Sequence, residues 1–566
     1  MTLRSIVTSI WLLLSLTYVS QLSAEIFSVD SKSSFDSALR SAMAGDSIVW
    51  EDGVYEDIVM DVDKDGLFIV ARTLGGTVFT GRSYAELNGD DMTFEGFQYV
   101  DGNIGTRDIV QIRGSRIHFT QINMRSYTCF KYLRIREESQ FVNVTYCNFE
   151  NRLNLDDQNI VSVLVSEDHP GFHRIQFCSF KNFDGEGNDF GIEPLRIGLS
   201  TQAERPSRTL VEYCYFTQCD GDGEIISSKA SENVYRFNTF EGNPKAELVL
   251  RHGSGMIVYG NFFLDGKGGV RVREGQDHYI YNNYFFDLDD RAIILQNDDS
   301  DPLDNINVAF NLIHDCSEII LGGSGGDQPT DVTFVNNIFS DPNDELFDDP
   351  TGTETWINNI AIGDLGMALP DGIQQVDPRL EENNGGFFSI GADSPAINGS
   401  SGRFKPFPQY EGMDPVDTNV DFDIMKEARP TDNTIKDLGC SEYPHDMPIQ
   451  PFATEENTGP DYNTSVTTST NEEELTGPLL VNVYPNPARE IVDVTIVADV
   501  SLDLRVDLLH IDGRLIRSIY QENSFSGEIK VSENIDTLSQ GTYLVKILGS
   551  QGAHVQLERT IQLIKL

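Results

Sequence analysis

One short motif constrains this chain more than anything else in it: an apolar run leading into Asn-x-Phe, or a near variant, that keeps returning. The copies are Tyr146-Cys147-Asn148-Phe149, Phe177-Cys178-Ser179-Phe180, Tyr213-Cys214-Tyr215-Phe216, Phe237-Asn238-Thr239-Phe240, Gly260-Asn261-Phe262-Phe263, Asn282-Asn283-Tyr284-Phe285, Phe310-Asn311-Leu312-Ile313, Asn336-Asn337-Ile338-Phe339 and Asn358-Asn359-Ile360. From Asn238 onward the asparagines step by 23, 22, 28, 26 and 22 residues. A period in the twenties, carried on β-branched and aromatic residues and broken by Gly, Asn and Asp, marks a solenoid. A leucine-rich repeat would need a Leu-x-x-Leu-x-Leu frame, which is missing. Short strands with no helical stretch between them predict an all-β chain built on a right-handed parallel β-helix. An inward asparagine at each turn can bond the backbone of adjacent coils, which gives nearly all of these residues a structural role.

The rest of the chain divides around that solenoid. Residues 1–24 read as a secretory signal: Arg4 is the positive end, Ile10 to Leu16 the apolar run, Leu22-Ser23-Ala24 the small-residue cleavage site. No later apolar run is long enough to span a bilayer. Residues 25–450 form the β-helix domain. Within it, Ser33 to Met43 predicts a helix capped by Ser33 or Ser34, with Phe35, Leu39 and Met43 on one face, placed to plug the open first coil. Strands follow from about Ser47 to Pro406, with a finishing turn at Asp393 to Gly399. Residues 407–450 are mixed in character, and Asp437-Leu438-Gly439-Cys440 is assigned to the main domain. Residues 451–478, rich in Thr, Glu, Asn, Ser and Gly, predict a linker. Residues 479–566 predict a small β-sandwich, from the runs Ile491 to Ala498, Leu502 to Ile511, Gly527 to Val531 and Thr542 to Leu548.

Charge narrows the partners. A net charge of −48 excludes a nucleic-acid partner and opposes any polyanion through the overall field. An acidic polysaccharide would need a local basic cleft, for which Lys229, Arg251, Arg271 and Arg273 are candidates. Seven cysteines in 566 residues do not make a disulfide scaffold. Cys147, Cys178 and Cys214 hold one position in three copies of the repeat, which reads as stacked buried thiols.

The stretch from Asp222 to Asn283 carries the chemistry. Asp222-Gly223-Glu224-Ile225-Ile226-Ser227-Ser228-Lys229, Leu250-Arg251-His252-Gly253, Gly268-Gly269-Val270-Arg271 and Asp277-His278 lie about one repeat apart, so stacking makes them neighbours on one face. Together with Asn238-Thr239-Phe240, Gly260-Asn261-Phe262-Phe263 and Pro194-Leu195-Arg196-Ile197-Gly198-Leu199, these pieces resemble polysaccharide lyase family 6, which holds alginate lyases and the dermatan-sulfate lyase chondroitinase B. The resemblance spans roughly residues 26–445. It implies a secreted lyase that cuts alginate by β-elimination, with Lys229 as base and Arg251 near the leaving oxygen. It further implies sugar contacts from His252, Arg271, His278 and Arg196. Asp222 and Glu224 match the family's acidic pair for a calcium ion, although the family usually has glutamate in place of Asp222. A third oxygen ligand is expected between Asn188 and Glu193. Two readings stand for the acidic pair: it holds calcium, or it salt-bridges Lys229 or Arg251 and positions it. Val483-Tyr484-Pro485-Asn486-Pro487-Ala488 and Gly541-Thr542-Tyr543-Leu544-Val545-Lys546 resemble the C-terminal sorting domain of type IX secretion. That implies a Bacteroidetes-type source, with the product released or attached at the cell surface.

Three other readings compete. A dermatan-sulfate or chondroitin-type substrate would want extra basic residues for sulfate. A pectin hydrolase would need paired carboxylates, and Asp289-Asp290 and Asp298-Asp299 look instead like turn residues. A surface protein that binds glycans without cutting them would need neither Lys229 nor Arg251. Tyr235, Tyr259 and Tyr279 fit sugar stacking and core packing equally well.

Overall fold

The computed structural model describes residues 24–154, 159–185, 191–296, 302–322, 328–413, 420–445, 447–463, 479–484, 491–510, 515–538, 541–550 and 556–565. The signal segment, Asn188, Asp298-Asp299, Pro485 to Ala488 and most of the expected linker lie outside these residues.

Each repeat contributes three short strands, and like strands pair in parallel from coil to coil. Around the middle of the solenoid one turn runs Val234–Arg236, Thr239–Glu241, Glu247–Leu250, and the next begins at Ile257–Tyr259. Val234 pairs with Ile257, Thr239 with Phe262, and Leu248 with Val270, so the coil is a three-faced parallel β-helix. The helix Lys32–Ser41 covers the first coil, with Phe35 stacked on Trp50 at 5.6 Å. Its N-cap is Ser31, earlier than expected, because the Ser31 hydroxyl accepts from the Ser34 N–H while Ser34 reaches back to the Ser31 N–H. Met43 lies beyond the helix and is exposed.

The repeated residues form continuous ladders inside the coil. Nδ2 of Asn238, Asn261, Asn283, Asn311 and Asn337 each donates to Oδ1 of the next asparagine, at 3.0–3.1 Å, ending on Asn359. The same Oδ1 atoms accept the preceding backbone N–H, so each buried amide is satisfied on both sides. In earlier coils Cys147, Cys178 and Cys214 occupy this position as buried free thiols, and the Cys214 N–H starts the ladder on Asn238. Phe180, Phe216, Phe240, Phe263 and Phe285 stack with centroids 4.7–4.9 Å apart, the spacing of paired strands.

After the last coil the chain folds back along the corner that carries the asparagines. Ser400 Oγ accepts from Asn336, Phe407 packs on Tyr259, Tyr279 and Tyr281, and Arg429 bonds Asn282 and Glu442. Asp437 and Gly439 dock here too, through the N–H of Asn398 and the carbonyl of Asn336. Residues 452–463, expected as linker, belong to this strap. Phe452 packs edge-on to Tyr213 and Phe237, the Gly459 N–H donates to the Phe177 carbonyl, and Tyr462 donates to the carbonyls of Phe97 and Gln121. The C-terminal module is a five-stranded antiparallel sheet with its own core, including Val492, Val494, Leu504, Val506, Val545 and Ile547. Among the described residues no helix is long and apolar enough to cross a membrane.

Candidate active site

The site lies on the face opposite the strap, where the strands Leu195–Ile197, Glu224–Ser228, Glu247–Leu250 and the end of Phe262–Val272 stack. Inward residues here are apolar and buried: Leu195, Ile197, Ile226, Leu248, Leu250, Val270 and Val272. The alternation of the strand therefore turns the residue between them outward. Register places Gln111, Arg134, Ser162, Arg196, Ser227, Val249 and Arg271 in one such column. The residue just past each strand makes a second column: Arg136, Gly198, Lys229, Arg251 and Arg273, with their N–H groups on the preceding coil's Ile112, Val163, Ile197, Ser228 and Leu250. Stacking thus makes Lys229 and Arg251 direct neighbours, as expected.

Carboxylates at the strand starts hold these cations. Glu224 Oε1 accepts from Arg251 at 2.7 Å, reaching between adjacent coils. Glu193 holds Arg196 through both oxygens, at 3.0 and 2.5 Å. Glu247 grips Arg291 in the same bidentate way, at 3.1 and 2.9 Å. Glu247 and Arg291 had not been singled out from the sequence. Nor had Arg134, Arg136 and Lys131, which stand on earlier coils of this face. Lys131 is buried against Asn159, so it does not reach a polymer. The ammonium of Lys229, in contrast, makes no hydrogen bond or ion pair among the described residues. Beside it the column position is Gly198, with φ +80° and Ala230 so close that a Cβ would lie 2.7 Å from that methyl.

Electrostatics follow from these contacts. Burial lowers the Lys229 pKa, and the nearby Arg196 and Arg251 charges push the same way. Burial alone would raise the Glu224 carboxyl, but Arg251 and Lys229 hold it below the usual range. Burial opposes the charge of Arg251, and its Glu224 partner outweighs that and raises its pKa.

Several expected contacts take another form. His278 is fully buried: Nδ1 accepts from the Met256 N–H, and Nε2 lies 3.3 Å from the Glu274 carbonyl. Burial drives its pKa down to about 4, so it is a neutral structural residue and not a sugar contact. Tyr235 lies in the interior of the coil with its hydroxyl on Ser228, and Tyr259 and Tyr279 pack into the core beneath the strap. His252 stays at the site, its ring nitrogen 3.7 Å from buried Glu274. Arg271 holds the outward column beside Val249, and Asp222 is half-buried just before the Glu224 strand.

The donors proposed for calcium are mostly committed. Glu224 Oε2 is buried without a hydrogen bond, which a cation would relieve. Glu193, however, is fully engaged by Arg196, and the other Glu224 oxygen by Arg251. Among the described residues no three carboxylates, histidines or thiols converge as a cation site. Glu224 thus has one oxygen on Arg251 and one buried without a hydrogen bond among the described residues, and Asn188 lies outside them.

Comparison with known proteins accords with this geometry. The chondroitinase B family profile matches residues 29–311, half of the chain, and the secretion system C-terminal sorting domain matches residues 482–561. No curated protein sequence matches the chain. Among solved structures, the PL6 family alginate lyase AlyGC aligns at 23% identity and a TM-score of 0.60, over 69% of this chain and 59% of its own. A mannuronic acid specific family 6 lyase from human gut microbiota aligns at 20% and 0.56, over 62% and 91%. A PL6 alginate lyase in complex with a trisaccharide aligns at 19% and 0.56, over 66% and 92%. At these identities the likeness establishes the β-helix fold. The sorting domain marks the protein as secreted or held at the cell surface. The chain belongs to the chondroitinase B family, polysaccharide lyase family 6, and ends in a secretion sorting domain.

Proposed function

We propose that the protein cleaves alginate by β-elimination, with neutral Lys229 taking the C5 proton. The observation that carries this is a partly buried lysine, without a hydrogen bond or ion pair among the described residues, beside an Arg251 anchored by Glu224. As the C5 proton leaves to Nζ, its electron pair forms the C4–C5 double bond and expels O4. An arginine is a poor proton donor, so Arg251 stabilises the charge on the departing oxygen, and water supplies the proton. Arg196 and Arg271 flank Ser227 and Val249 in the outward column, and they meet the sugar carboxylates. Alginate is favoured because the fold neighbours named for it bind and cut uronate polymers, and because a charge of −48 suits a sulfated polymer less well.

The test is ultraviolet absorbance of unsaturated product on mixing the protein with alginate, beside dermatan sulfate. Lys229→Ala should lower kcat by about 10²–10⁴-fold, the range for a general base, with an unchanged melting curve. An active Lys229→Ala variant sinks the assignment. A calcium ion is the alternative neutraliser of the sugar carboxylate, and it would require Glu193 and Glu224 to release their arginines. Activity that disappears with a chelator and returns with calcium selects that alternative; activity that persists selects the arginines.

A further inference from the structure

A cavity of about 260 Å³ opens on the same face, on coils nearer the N-terminus, and nothing in the elimination chemistry uses it. Its walls include Tyr84, Glu86, Arg107, Asp108, Phe130 and Arg134. Two arginine–aromatic pairs face it: Arg107 lies over the Tyr84 ring at 5.0 Å, and Arg134 over Phe130 at 5.1 Å. Arg134 is anchored by Asp108 at 3.0 Å. Arg107 is exposed, and its guanidinium makes no ion pair among the described residues. A stacked, unpaired guanidinium at a cavity mouth is pre-placed to receive an anion.

The rest of the lining narrows the anion. Two arginines are balanced by Asp108 and Glu86, so the pocket is close to neutral overall. A sulfate or phosphate dianion would sit against two carboxylates. A sugar with one carboxylate fits better: Arg107 takes the carboxylate, and the acids accept its hydroxyls. Position narrows it further. Arg134 shares the outward column with Arg196 and Ser227, and lies three coils from Ser227, beside Lys229. Paired strands are about 4.8 Å apart, so the pocket is roughly 14 Å along the face from the base. One coil advances the face by nearly as much as one 1,4-linked sugar advances its chain. We infer that this pocket is a remote subsite for a hexuronate residue, engaging a long uronate polymer roughly three sugars from the bond that Lys229 opens.

The inference rests on the polyuronate reading, and its test separates the two. Arg107→Ala removes an exposed residue with no ion pair, so folding should be intact; Arg107→Lys keeps the charge. On alginate polymer, Arg107→Ala should raise KM roughly 5- to 10-fold, the loss of one charge-assisted contact. Kinetics on a trisaccharide, too short to reach the pocket, should not change, and Arg107→Lys should recover part of the loss. Equal effects on both substrates, or none on either, overturn the subsite. Titration calorimetry in a Lys229→Ala background asks the same question without turnover. Arg107→Ala should weaken binding of an alginate hexasaccharide but not of the trisaccharide. If the wild type cuts no uronate polymer, the proposed function falls. The calorimetry still decides the pocket: hexasaccharide affinity that ignores Arg107, or no hexasaccharide binding at all, overturns it.

Discussion

An amine removes a carbon-bound proton only while neutral, and a free lysine, with a pKa of about 10.4, is mostly charged at neutral pH. At Lys229 burial lowers the pKa, Arg196 adds to the shift, and Glu193 and Glu224 work against it. The neutral base is then present at lower pH than for a free lysine, and kcat/KM should climb as pH rises through the lowered value. Arg196→Met removes a repelling charge and frees Glu193, and both changes raise the Lys229 pKa. The acid limb of the kcat/KM profile should therefore move to higher pH; a limb that stays or moves down refutes this electrostatic role. That Lys229 and Arg251 stand side by side could be read from the sequence, because each sits in a compact local motif about one repeat from the other. The pair Glu247–Arg291 could not be, because the two lie 44 residues apart and loops of unequal length separate the coils. Spacing alone then leaves open which residue of one coil meets which of another. His278 misled for a related reason: a histidine beside a charged motif looks the same in sequence whether it faces in or out, and only register turns it inward.

At the scale of the element, the asparagine ladder makes each coil depend on the next. Asn311 accepts the N–H and Nδ2 of Asn283 and donates to Ile280 and Asn337. Asn311→Leu leaves two buried donors of Asn283 without an acceptor, at about 1–3 kcal/mol for each unsatisfied group, so a loss of roughly 2–6 kcal/mol is expected. Urea unfolding monitored by circular dichroism measures it; a change under about 0.5 kcal/mol, as for an ordinary surface substitution, would show that the ladder is ornamental. This element was legible because its period is printed in the residues themselves. The first helix was legible as well, although its cap shifted to Ser31 once reciprocal bonding with Ser34 was available.

The whole molecule is a solenoid, a strap and a separate module. The strap had no legible signature: it lacks a period, and its partners are far away in sequence, as Tyr462 is from Phe97. Its contacts predict how truncations behave. A chain ending at residue 463 loses only the sorting module and should keep the melting temperature and lyase activity of the full protein. A chain ending at 451 also uncovers Tyr213 and Phe237, which Phe452 shields, and should melt several degrees lower in calorimetry. Equal melting points for the two would show that the strap's last segment contributes nothing. The strap's return path also decides where a mechanical load enters. A polymer held in the cleft and a tether held at the cell surface pull against each other through residue 463. That tension arrives at Tyr462 among the early coils, so it peels the strap from its far end first.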